Sequence, residues 1–309
     1  MNNSTENRYR FDGKVVVVTG AGNGLGRSHA KLFASLGARV VANDLGVNRD
    51  GSAADSSAIR QSPVDDTVAE ITAAGGLAVA NYDSVEVGER IIEQAMDQFG
   101  QIDVVVNNAG IIRDKSFHKM ELEDWQLVQR VHLEGAYRVT RAAWPHLRDQ
   151  GAGKVLFTAS ASGLYGNFGQ ANYSAAKAGL FGLTRTLAVE GAAKNIQCNI
   201  IAPMLDSRML EGLMPDEYRK QMKPELVSPL AAFLCHDECL ENGSLYEVGA
   251  GWYAKVRWQR SDGFGMPPAE EVSVADIAEN WTAINNFEQA HFPKDTLEAG
   301  SIMLQNLNR

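Results

Sequence analysis

Lys14 to Thr19, KVVVVT, runs apolar directly into a glycine-rich turn, Thr19 to Gly26, which opens an amphipathic stretch from Arg27 to Leu36. Four successive valines leave no polar face, so the segment reads as a strand buried on both sides, followed by a turn and a helix. Apolar runs return at Arg39 to Asn43, Ala78 to Tyr82, Ile102 to Val106, Lys154 to Ala159, Gln197 to Ala202 and Ser244 to Val248, with helix-period segments between them. Seven strands alternating with helices imply a doubly wound α/β fold, a Rossmann-like parallel seven-stranded sheet covered on both faces. Ligands of such sheets sit beyond the carboxyl ends of the strands, where the strand order reverses. Residues just after each apolar run are therefore the first candidates for function.

Two stretches break the alternation. Leu45 to Asp66 is rich in Gly, Ser, Asp and Asn and reads as a surface excursion between the second strand and its helix. The segment after Gly251 is not required by the sheet, so residues 1–251 read as the catalytic domain and residues 252–309 as a C-terminal extension packed on that domain or on a dimer partner. The extension opens with Trp252 to Trp258, where Trp252, Ala254, Val256 and Trp258 share one face of an extended segment. A strand covering a sheet edge or a dimer contact is favoured over a substrate lid, because alternating aromatic faces more often pack than bind.

With 309 residues and a formal charge of -9, the chain is large enough for a full core and too acidic for a nucleic-acid or anionic-membrane surface. Anionic ligands must then be held by local devices. Cys198, Cys235 and Cys239 are too few and too unevenly placed for a disulfide framework. No apolar export segment, membrane-length run or Ser-Lys-Leu ending is present, and the expected location is the cytosol.

The first turn places Gly20, Asn23, Gly24, Leu25 and Gly26 where backbone can approach a pyrophosphate and a helix N-terminus can hold it, which points to a dinucleotide. Asp44 closes the second strand, where a carboxylate accepts from ribose hydroxyls and repels the extra phosphate of NADP. Asn23 in place of a cation agrees, so the cofactor reads as NAD, with Arg49 nearby as the one contrary sign. Asp83 and Ser84 end the third strand and could meet the adenine edge, although Ser84 reads equally as a helix cap. Asn107 and Asn108 close the fourth strand, and either ties strands together or lines the cofactor.

Tyr173 and Lys177 stand at i and i+4, one turn apart on one helix face, with Ser160 at a strand end upstream. A phenol titrates near ~10, so a tyrosine acting as base near neutrality needs a cation beside it. Lys177 supplies one.

These residues resemble the short-chain dehydrogenase/reductase superfamily in the turn Thr19 to Gly26, the strand end Asn107 to Gly110 and the pair Tyr173 to Lys177. Ser160 to Lys177, Asn43 to Gly46, Ala80 to Val85, Arg130 to Leu133 and Glu247 to Trp252 are similar, more closely, to the (3R)-hydroxyacyl-CoA dehydrogenase unit of the peroxisomal multifunctional enzyme type 2 family. The resemblance implies Tyr173 as acid/base, Ser160 as the hydroxyl that holds the substrate oxygen, and Lys177 as partner of Tyr173 and of the nicotinamide ribose. It implies oxidation of a (3R)-3-hydroxyacyl-CoA to the 3-oxoacyl-CoA by NAD, on fatty or sterol side chains. His132 stands where the wider superfamily commonly has a relay asparagine, and reads as a proton relay or a packing residue. Ser207, in the segment Leu205 to Met209, should border the nicotinamide. Helices over Glu123 to Arg148 and Tyr173 to Lys194 are expected to pair two subunits.

The alternatives are a hydroxysteroid or other secondary-alcohol dehydrogenase of the same fold, a 3-oxoacyl reductase, against which Asp44 argues, and a nucleotide-binding scaffold without catalysis, against which intact Ser160, Tyr173 and Lys177 argue. A metal at Cys235, His236 and Cys239 is rejected, since three such residues within one helical turn more often pack. Arg113, Lys115, Lys119 and Arg208 are candidates to grip coenzyme A.

Overall fold

The computed structural model describes residues 8–52, 62–205, 215–267 and 271–306. The chain forms two compact units, Met1–Lys255 and Val256–Arg309. In the first, β1 (Val15–Thr19), β2 (Arg39–Asn43), β3 (Leu77–Asn81), β4 (Val104–Asn107), β5 (Gly153–Thr158), β6 (Ile196–Pro203), β7 (Leu245–Gly249) and β8 (Trp252–Val256) form one sheet in the order β3-β2-β1-β4-β5-β6-β7-β8. β1 to β7 pair in parallel, and the order reverses between β1 and β4. The glycine turn after β1 opens at that reversal.

The helices of this unit are α1 (Gly24–Ser35), α2 (Pro63–Ala73), α3 (Gly88–Phe99), α4 (Leu122–Gln129), α5 (Gly135–Gln150), α6 (Ala161–Tyr165), α7 (Ala171–Gly191), α8 (Asp216–Arg219) and α9 (Ser228–Leu234). The period of two along β1 sorts them into layers. Val16 and Val18 join one core with Ala30 and Phe33 of α1 and Ala231 of α9, while Val17 joins the other with Ile91 of α3, Val139 of α5 and Leu180 of α7. Each buried Val, Ile, Leu or Phe among them contributes on the order of 1.5–3 kcal/mol by leaving water, which fixes strand register and hence the position of each strand end.

Two local departures from the sequence reading have plain causes. Pro63 to Asp66, read as part of the surface excursion, instead begin α2: Pro63 occupies the first helical turn and the Ser62 N–H donates to Asp65 Oδ2 at 3.0 Å. An eighth strand follows the expected seven. Between β7 and β8 stand only Ala250 and Gly251, with φ of 49° and 80°. Two consecutive positive φ values make a tight reversing turn, and a two-residue link joins antiparallel strands. The alternating aromatic segment thus begins as an edge strand.

A π turn, Arg130–Glu134, joins α4 to α5. It presents His132 inward, and such bulges recur at functional sites. The second unit holds α10 (Val274–Glu279), α11 (Trp281–Ile284) and α12 (Thr296–Asn306). Within it Arg260 and His291 form an antiparallel bridge, and the Arg257 guanidinium lies 3.6 Å from the Phe292 ring centroid.

Candidate active site

Beyond β1 the backbone turns too tightly for side chains. A Cβ on Gly26 would come 2.0 Å from the Gly20 carbonyl oxygen, and one on Gly20 would come 2.8 Å from Ala109 Cα. Gly24 has a φ of +52° with open space where its Cβ would point, and Asn23 and Leu25 flank it at the N-terminus of α1. This is a cradle of backbone N–H groups at a helix start, the arrangement that holds a pyrophosphate. Asp44 stands at its rim: Oδ2 accepts from Gly22 N–H at 2.9 Å and Oδ1 from Gly46 N–H at 2.8 Å. Each oxygen keeps lone-pair capacity for a ribose hydroxyl.

The strand ends are tied side by side. Asn108 Nδ2 donates to the carbonyls of Thr19 and Gly20 at 3.0 and 3.3 Å, so this residue buttresses the turn. Asn43 Nδ2 donates to Asn81 Oδ1 and to the Asp83 carbonyl, each at 2.7 Å. Ser84 Oγ accepts from Glu86 N–H at 3.2 Å as the cap of the turn Val85–Val87. Asp83 Oδ2 accepts from Asn81 Nδ2 at 3.0 Å.

Ser160 follows β5 and caps α6, its Oγ accepting from Ser162 N–H at 3.2 Å. Its side chain also acts on Tyr173, which lies near the start of α7. Lys177, one turn along, places Nζ 5.5 Å from the Tyr173 ring centroid and donates to the Thr158 carbonyl at 2.5 Å. The His132 ring meets the Tyr173 ring edge-on at 5.1 Å, and its Nε2 lies 2.7 Å from the Ile111 carbonyl oxygen and 3.0 Å from the Ile111 N–H. The structure thus brings Ser160, Tyr173, Lys177 and His132 together at the carboxyl edge of β4 and β5.

Burial governs the electrostatics. It raises the Tyr173 phenol, against the Ser160 side chain, which lowers it. It lowers Lys177 to about 7. It also holds His132 neutral, well below its usual range, with the Lys177 charge acting in the same direction.

Several contributors carry no sequence signal of their own. Asn172, fully buried, donates to the carbonyls of Arg113 and Asp124 at 3.0 and 3.2 Å, and its Oδ1 accepts from Tyr173 N–H at 2.8 Å, so it sets the start of α7 against the loop after β4. Asp114 accepts from Gln170 Nε2 at 3.0 and 3.1 Å. Asp114 raises and Arg49 lowers the Tyr173 phenol through their charges. Arg49 arrives because its carbonyl accepts from Ile112 N–H at 2.9 Å, docking the chain after β2 onto the loop after β4. Only the fold creates these neighbours.

Of the coenzyme A candidates, Arg113 and Lys115 both pair with buried Asp124, at 3.2 and 2.7 Å. Lys119 is exposed. Ser207 and Arg208 lie outside the described residues. His236 packs edge-on to Tyr9 and Phe11 at 5.3 and 5.4 Å, and burial pushes the neighbouring Cys235 thiol upward.

A family model described as short chain dehydrogenase matches residues 14–217. The peroxisomal multifunctional enzyme type 2 of Mus musculus is 51% identical over 301 residues, covering 97% of this chain and 40% of that enzyme. A short-chain type dehydrogenase/reductase of Mycobacterium tuberculosis is 49% identical over 282 residues, covering 90% of this chain and 96% of its own length. The full-length peroxisomal multifunctional enzyme type 2 of Drosophila melanogaster has a solved structure that matches with a TM-score of 0.83 at 40% identity, covering 97% of this chain and 50% of that one. The chain therefore spans 40% and 50% of these two multifunctional relatives. These relatives overturn the cytosolic expectation, since enzymes so alike are peroxisomal. Composition reports on secretion and membrane insertion, whereas peroxisomal import is a receptor-read address that composition does not reveal. No helix among the described residues is long and apolar enough to cross a membrane. Matched through β1 to β6 by the family model and along nearly its whole length by the bacterial relative, the chain belongs to the NAD(P)-binding short-chain dehydrogenase/reductase family.

Proposed function

We propose that this chain oxidises (3R)-3-hydroxyacyl-CoA thioesters to 3-oxoacyl-CoA with NAD as the oxidant. The observation that carries the reading is the grouping of Ser160, Tyr173 and Lys177 at the sheet's carboxyl edge, with Lys177 one turn behind Tyr173. The likeness to the multifunctional enzymes supports the thioester substrate, and the name of a further relative, a peroxisomal hydratase-dehydrogenase-epimerase of Neurospora crassa that is 52% identical, includes a dehydrogenase step.

Ser160 holds the substrate hydroxyl, and the Tyr173 phenolate takes its proton. When bound, NAD supplies the hydride acceptor. Burial alone works against both charged forms, raising Tyr173 and lowering Lys177. Phenolate and ammonium therefore favour each other, each relieving part of the other's desolvation. His132, neutral and packed against the Tyr173 ring, limits where that ring can turn. Asp44 favours NAD over NADP, because a carboxylate already fixed by two backbone N–H groups cannot swing away from a ribose phosphate. Two copies pair through α4, α5 and α7, as the family resemblance implies.

The test is NADH formation with (3R) and (3S) thioesters of several chain lengths and free hydroxysteroids, each with NAD or NADP. Turnover confined to (3R) thioesters with NAD, and lost in Tyr173→Phe, is expected. Turnover of steroids with silence on every thioester would overturn the substrate. Sedimentation at working concentration checks the dimer.

A further inference from the structure

The start of α2 is fastened to the glycine turn and to α1. Thr67, fully buried, donates its hydroxyl to the Ala21 carbonyl at 2.9 Å. A Cβ on Gly22 would lie 2.8 Å from Asp44 Oδ2 and 3.0 Å from Pro63 Cβ, so Asp44 and the first turn of α2 flank one glycine of the cradle. Arg27 and Lys31 of α1 both pair with Glu70 of α2, Lys31 at 2.7 Å. The helix therefore walls the adenosine end of the cradle and neutralises two cations of its neighbour.

One carboxylate of that wall is held in place. Asp44 and Tyr82 follow paired strand ends, since the Asp44 N–H donates to the Asn81 carbonyl at 2.9 Å. From beside Asp44, the Tyr82 hydroxyl reaches α2 and donates to Asp65 Oδ1 at 2.5 Å, while Asp65 Oδ2 accepts from the Ser62 N–H at 3.0 Å. The bond to Asp65 raises the Tyr82 phenol, which keeps the hydroxyl a donor. With both oxygens engaged, the Asp65 carboxylate cannot turn away from a negative charge arriving next to Asp44. Asp66, by contrast, is exposed on the same turn.

We propose that Asp65, clasped by Tyr82, is a second determinant of NAD preference: its fixed carboxylate adds to that of Asp44 in repelling the extra ribose phosphate of NADP. Tyr82 is the positioning residue, acting through Asp65. The inference rests on the reading of the cradle as an NAD site and is independent of which alcohol the enzyme oxidises.

Fluorescence titration of the full chain with NADH and with NADPH, in the absence of substrate, tests this. Asp65→Asn removes the charge and keeps an oxygen to accept from Tyr82. At low salt it should tighten NADPH about fivefold, the scale of one charge acting on a phosphate several ångströms away through solvent, and the gain should vanish near about 1 M salt. NADH, which lacks the phosphate, should bind almost as before. Asp66→Asn removes the same charge from the exposed neighbour and should move NADPH far less. Tyr82→Phe frees the carboxylate to turn into solvent, so it should tighten NADPH in the same direction, and combining it with Asp65→Asn should add nothing further. Unchanged NADPH affinity in Asp65→Asn, or an equal response in Asp66→Asn, overturns the proposal. A gain that salt does not screen overturns it as well, because repacking rather than charge would then be its source. Should Asp65→Asn fail to fold, Tyr82→Phe decides alone, with unchanged NADPH affinity as the overturning result. A parent that binds NADPH as tightly as NADH removes the NAD reading and this proposal together, whereas a parent that prefers NADH and does not respond at Asp65 removes the proposal only.

Discussion

Lys177 is a cation placed where little water reaches it, and its charge makes a pH signature in stability as well as in rate. Its pKa falls from the ordinary lysine value of 10.5 to about 7 on burial. Below pH 7 it is charged in both the folded and unfolded chains, and the burial cost is fully felt. Between 7 and 10.5 the unfolded chain holds the extra proton, so stability from this residue rises with pH and levels off above 10.5. Lys177→Met should therefore melt higher than the parent at about pH 6.5 without cofactor, by a few degrees, with the difference shrinking toward about pH 10. Its turnover should fall at least about a hundredfold, since the acid/base loses its field. Equal melting curves at both pH values would sink the burial argument. Asp44 makes a second case: its oxygens hold Gly22 and Gly46 by backbone N–H groups at 2.9 and 2.8 Å. Such charged hydrogen bonds are worth about 1.5–3 kcal/mol, so Asp44→Ala should raise the KM for NAD at least about tenfold and narrow the preference over NADP. Steady-state kinetics with both cofactors read this out.

Among the elements, the turn from β7 to β8 carries a cost that can be removed. Ala250 sits at a φ of 49°, where an L side chain crowds its own carbonyl, and this costs about 1–2 kcal/mol. Ala250→Gly should raise Tm by about 2 °C or more without changing kcat, as thermal unfolding and an activity assay will show. The opposite holds at Gly26, where any side chain meets the Gly20 carbonyl at 2.0 Å; Gly26→Ala should cost both NADH binding and several degrees of stability. How far sequence reveals these elements follows the range of the interaction. The valine run of β1, the glycine turn and the Tyr173 to Lys177 face are local, and the chain reads them out in order. The start of α2 is also local, announced by Ser62, Pro63 and Asp65 but hidden by the polar composition around it. Asn172, Asp114 and Arg49 are different. They reach Tyr173 only because loops after β2 and β4 fold over the sheet's end, and no spacing in the sequence records that closure.

At the scale of the whole molecule the sequence reveals a catalytic unit and a tail, and their boundary is where packing rather than pattern decides. The apolar alternation suggests a cut after Gly251, because the seven expected strands are then complete. The sheet continues to Val256, and the compact unit ends at Lys255. Two truncations separate the readings. A chain ending at Arg257 keeps all eight strands and both helix layers, so it should fold cooperatively and bind NADH. A chain ending at Gly251 loses β8 and exposes the length of β7, a row of unpaired N–H and carbonyl groups that templates association between copies. It should aggregate, or melt well below the longer chain. Light scattering and thermal melts of the pair, at matched concentration, compare them. If both truncations behave alike and well, β8 is dispensable and the earlier boundary is the working one. If the longer one also fails, residues 258–309 support the fold of the first unit.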